Sequence, residues 1–133
     1  MLQKTNFMVF GNKNINCNAE IMFNNCAIER VYNAKFLGVL IDDKLSWNVH
    51  VVHICTKLSR SISIIKKVKN ILNSDNLKTL YNSLILPYIN YCCQVWGNSS
   101  KYLINKLIIL QKRAIRIVSK SMYSSHTAPL FKK

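Results

Sequence analysis

The chain has 133 residues, half of them apolar, enough for one modest domain with a core and too apolar for a disordered segment. Its formal net charge is +14, and that excess is unevenly placed. Residues 1–43 carry four bases and four acids, whereas residues 44–133 carry fifteen bases and one acid, Asp75. Helices this basic suggest a phosphate-rich partner, either nucleic acid or an anionic membrane surface; no small-molecule substrate is expected.

In chain order, residues 6–10 (NFMVF) read as a strand, and residues 19–23 and 26–32 flank Asn24-Asn25, a two-residue hairpin turn signal. The apolar run at residues 36–41 reads as one buried strand ending on Asp42 and Asp43. Residues 1–43 are therefore expected to form a small antiparallel β region.

At Ser46 the pattern changes. The serine stands where a helix cap belongs, and Trp47, Val51, Ile54, Leu58, Ile62, Ile65, Val68 and Leu72 then recur at steps of three and four. Arg60 and Lys67 fall opposite this seam, with Lys57 beside it. Asn73 or Ser74 caps a second helix carrying Leu77, Leu80, Tyr81, Leu84 and Ile85, which Pro87 kinks or ends. The aromatic stretch PYINYCCQVWG follows, whose Tyr88, Tyr91 and Trp96 are expected to pack the helices together. Ser99 or Ser100 caps a third helix reaching about Lys120, with Leu103, Leu107, Leu110, Ala114 and Ile117 as its seam and Lys112, Arg113, Arg116 and Lys120 on its other side. The expected architecture is α+β: a β region over residues 1–43, a three-helix region over 44–120 and a loose tail over 121–133.

The adjacent aspartates raise the question of a metal site. Two-metal phosphoryl transfer needs several carboxylates around two cations, and the whole chain has five acids. A strand–turn–helix passage explains aspartates at 42 and 43 without any metal. His50, His53 and Cys55 match no zinc spacing, because no second ligand pair follows at a suitable distance. No metal or other cofactor is expected in this chain. The five cysteines are odd in number and lack a framework spacing, which points to free thiols in a reducing compartment. The absence of a leader pattern and of a long apolar run points to an intracellular, cytoplasmic or nuclear chain. Membrane-surface binding is disfavoured because the basic helices direct their apolar faces to a core.

Four segments in series resemble one family. KTNFMVF (4–10), IMFNNCAIERV (21–31), LYNSLILPYINYCCQVWG (80–97) and LQKRAIRIVSK (110–120), together with FLGVLIDDKLSW (36–47) and the helix after it, resemble the end of the palm and the thumb region of reverse transcriptases of non-LTR, Jockey-like retrotransposons. Each segment alone is weakly specific, and the signal lies in their order and close spacing. The resemblance implies an RNA-directed DNA polymerase fragment whose catalytic aspartate pair, which in the intact enzyme binds magnesium, lies upstream of the lysine–threonine strand. Asp42 and Asp43 then match a turn after the primer-grip strand. Phe36, Leu37 and Gly38 resemble the primer grip. Lys4 matches the lysine near the incoming nucleotide's phosphates. Lys57, Arg60, Lys67, Lys112, Arg113, Arg116 and Lys120 become candidates for contact with the phosphates of an RNA–DNA or DNA duplex. A stand-alone basic nucleic-acid-binding module, or a non-functional retrotransposon remnant, are the alternatives. None of these readings makes the chain an enzyme by itself.

Overall fold

The computed structural model describes residues 5–11, 20–23, 25–122, 126–128 and 130. The chain divides into two compact units, Met1–His50 and Val51–Lys133.

Among the described residues, the first unit contains six short strands in three two-stranded ladders, rather than one sheet. β1 (Asn6–Phe7) pairs in parallel with β4 (Glu29–Arg30), while β2 (Met22–Phe23) with β3 (Cys26–Ala27) and β5 (Asn33–Phe36) with β6 (Val39–Asp42) are antiparallel. The parallel pair departs from the expected all-antiparallel region. It joins segments more than twenty residues apart and is extended by Val31 N–H donating to the Phe7 carbonyl at 2.9 Å. Asn25 turns the β2–β3 hairpin with φ 58°, which asparagine tolerates.

The run at 36–41 is not one strand. Leu37 (φ 45°) and Gly38 (φ 84°) form the two-residue turn of the β5–β6 hairpin. Positive φ at both central residues gives the backbone twist that matches paired strands. Only the residues after the turn are sheltered: Val39 is buried, whereas Phe36 and Leu37 are 63% and 73% exposed.

β6 ends on a carboxylate that organises the next element. Asp42 is buried, and its Oδ1 accepts from the backbone N–H of Lys44 at 3.1 Å and of Ser46 at 2.9 Å. Its Oδ2 accepts from Ser46 Oγ at 3.1 Å and from Trp47 N–H at 3.0 Å. Ser46 Oγ in turn accepts from Asn48 N–H at 3.3 Å, at the start of α1 (Asn48–Val68). Serine and aspartate together thus satisfy donors that a helix start leaves open. His50 is buried, and its Nδ1 accepts from Leu40 N–H at 3.2 Å.

The second unit is helical. Val51, Ile54, Leu58, Ile62 and Ile65 on α1 are all buried, as the three-four spacing requires. α2 (Ser74–Leu84) is capped by Asn73, whose Oδ1 accepts from Asn76 N–H at 2.9 Å. Pro87 does not merely end α2; it stands in the first turn of a short α3 (Leu86–Asn90), where its missing N–H costs nothing. α4 (Cys93–Trp96) buries Trp96, whose indole N–H donates to the Tyr91 carbonyl at 2.8 Å. Tyr88 and Tyr91 are exposed, so Trp96 alone of the three aromatics joins the core.

α5 (Lys101–Val118) buries Leu103, Leu107, Ala114, Ile115 and Val118. It ends in a Schellman motif: Lys120 N–H bonds the Ile117 carbonyl at 3.2 Å and Ser121 N–H bonds the Arg116 carbonyl at 3.0 Å. Lys120 occupies the left-handed position at φ 53°, where glycine is usual.

Two stability changes follow. Asp42→Ala removes the acceptor for three backbone N–H groups and a hydroxyl, and should cost about 2–3 kcal/mol. Leu58→Ala leaves a cavity at a fully buried site and should cost about 2–5 kcal/mol. Urea unfolding followed by circular dichroism reads both as lowered midpoints.

Candidate functional site

The charged helical faces are built by the same periodicity that builds the core. At about 100° per residue, the positions opposite the α1 seam are those of Arg60 and Lys67, both exposed, with half-buried Lys57 at the margin. On α5, Lys112 and Arg113 are exposed and Arg116 is half-buried, all turned away from Leu107 and Ala114. Lys120 is not on that helical face. It lies past the helix end, and its ammonium donates to the Leu72 carbonyl at 3.0 Å, tying the α1–α2 connection to the end of α5.

Phe36, Leu37 and Gly38 come together at the tip of the β5–β6 hairpin, with the apolar side chains outward. Lys4 lies outside the described residues. Among the described residues, no three of His, Cys, Asp and Glu are grouped to hold a metal ion. The four bonds to Asp42 leave its carboxylate committed to the loop and to the α1 start.

The structure also brings together residues that the stripes did not pair. Arg60 and Cys55 of α1 and Lys106 of α5 line one groove. Lys106 escaped the sequence reading because its neighbours YLINKLI read as an apolar seam with one lysine. Its ammonium lies 4.4 Å from the centroid of the Tyr102 ring, a cation–π contact one turn back along α5. Burial raises the Cys55 thiol pKa above the ordinary value, and the positive charge of Lys106 partly opposes this. Within the second unit, Asp75 forms an ion pair with Lys78 at 3.9 Å; both side chains are largely exposed, so the pair contributes little.

Strand ladders followed by amphipathic basic helices define an α+β chain with surplus positive charge on its helices. The chain is similar in sequence to RNA-directed DNA polymerases of Jockey-like and X-element non-LTR retrotransposons, the proteins its motifs resemble. It is 29% identical over 89 residues to the probable RNA-directed DNA polymerase from transposon X-element of Drosophila melanogaster, covering 65% of this chain and 10% of that protein. It is 29% identical over 116 residues to the RNA-directed DNA polymerase from mobile element jockey of the same fly, covering 84% and 12% respectively. The jockey polymerase of Drosophila funebris is 24% identical over 102 residues, 74% of this chain and 11% of that protein. The chain thus spans about one-tenth of the length of the curated relatives it matches. No protein-family model matches it, and no solved structure does. No helix among the described residues is long and apolar enough to cross a membrane.

The raised pKa of Cys55 has a kinetic consequence. A higher pKa means less thiolate at a given pH, so N-ethylmaleimide should modify Cys55 more slowly than exposed Cys26 at pH 8, with the rise in rate displaced to higher pH. Lys106→Ala removes the opposing charge and should displace it further. Peptide-resolved mass spectrometry measures these rates.

Proposed function

We propose that the chain is a reverse-transcriptase segment that holds the sugar–phosphate backbone of an RNA–DNA primer–template and carries no catalytic aspartates of its own. The observation that carries this reading is the helical charge. Residues 44–133 hold fifteen bases against Asp75 alone, and the α1 and α5 bases are directed outward by helices whose opposite faces are core. Contacts of this kind go to phosphates, fix register on a duplex and carry little sequence information. The relatives' names supply the polymerase context, and the match to about one-tenth of their length supports a reading in which the chemistry belongs to other regions.

Within that reading the β5–β6 tip acts as the primer grip. Leu37 and Phe36 offer an apolar, solvent-facing edge, and Gly38 lets a backbone approach closely. Lys112, Arg113 and Arg116 are the α5 phosphate contacts, and Lys57, Arg60 and Lys67 those of α1. Lys120 serves the helix end before it serves a ligand. Asp42 is architectural, and the intact polymerase's magnesium is held elsewhere.

Fluorescence anisotropy with a labelled RNA–DNA duplex tests the proposal. Affinity should fall steeply between 50 and 200 mM salt. Replacing Lys112, Arg113 and Arg116 together by Glu should weaken binding at least tenfold and flatten the log–log salt slope by about three. Primer extension with magnesium should give no product. Salt-independent binding, or measurable synthesis, would overturn the assignment.

A further inference from the structure

We infer that the shallow groove running along α1, bordered from α5 by Lys106, is the seat of one nucleic-acid strand, with Arg60 and Lys106 as its two phosphate contacts and Tyr102 as the residue that positions Lys106. This rests on the backbone-holding reading above and places it at a site that neither helical stripe defines alone.

The groove measures about 620 Å³ and follows α1 from Val52 to Ile64. At 1.5 Å per residue this is about 18 Å, the axial rise of about five nucleotides of one strand. Such a length suits a polymer rather than a single small anion. The charged groups at its walls are cationic. Arg60 enters from α1 and Lys106 from α5, and among the described residues neither is paired with a carboxylate. Ser59 adds a hydroxyl to the wall, while the Ser63 and Thr56 hydroxyls already donate to their own helix at the Ser59 and Val52 carbonyls. Beside the exposed apolar side chains of Val52 and Ile64, the groove presents guanidinium, ammonium and hydroxyl donors and no anionic acceptor, which suits a strand whose phosphodiester oxygens meet the donors and whose sugar carbons meet the apolar groups. Tyr102 is 68% exposed and holds the Lys106 ammonium over its ring, restricting a side chain that would otherwise sample many rotamers.

Cys55 lines the same groove and reports on it directly. The full-length chain is treated with N-ethylmaleimide, a neutral reagent, with and without a saturating 20-bp RNA–DNA duplex, and modification of each cysteine is followed by mass spectrometry. Bound duplex should slow Cys55 at least about fivefold and leave exposed Cys26 unchanged, whereas 1 mM pyrophosphate should leave both unchanged. Lys106→Glu should weaken duplex binding about tenfold and lower the salt slope by about one. Tyr102→Leu should weaken it about two- to threefold, and Tyr102→Phe, which keeps the ring, should not. Duplex binding with Cys55 unprotected overturns the groove assignment and leaves the proposed function standing. Protection by pyrophosphate equal to that by duplex also overturns it, in favour of a small-anion site. Absence of any duplex binding overturns both.

Discussion

The passage from strand to helix depends on one buried carboxylate. Asp42 closes β6, draws in the N–H groups of Lys44, Ser46 and Trp47, and orients the hydroxyl that meets Asn48 at the start of α1. A negative charge there also opposes the positive end of the helix dipole. Adjacent aspartates in a polymerase-like sequence invite a metal reading; here one of them is consumed in architecture.

The helical unit combines two demands on the same elements. Each long helix buries a continuous apolar stripe and carries bases that have almost no acid within the unit to balance them. Self-repulsion among such charges is tolerated in water and salt, and is relieved by a polyanion. The shallow groove along α1 brings Arg60 and Lys106, cations from distant sequence positions, to one surface.

Much of this was legible in the residues. The three-four spacing on α1 predicted its buried seam, Asn73 marked the start of α2, and Asn24-Asn25 marked a hairpin. The failures were tertiary or conformational. Residues 36–41 read as one strand because leucine at a left-handed turn position has no local signature, and a single glycine is a weak one. The parallel pairing of β1 with β4 joins distant segments that no short-range pattern connects. Nothing in the local pattern marks His50 as a partner of the strand, yet its ring nitrogen accepts from the Leu40 N–H of β6. Lys106 looked like an interruption in an apolar stretch, and only the neighbouring helix reveals what it faces. Lys120 sat in phase with its stripe, but the helix had already ended.

That helix end belongs to a wider habit of the fold. Leu37, Leu45, Trp47, Cys92 and Lys120 all adopt positive φ despite carrying a Cβ, and every one of them lies at a corner between elements. Each such residue costs about 1–2 kcal/mol relative to the right-handed alternative. The exposed corner at Leu45 therefore holds unused thermal headroom: a chain with glycine or asparagine there would melt later while keeping the same interior and the same positive helices.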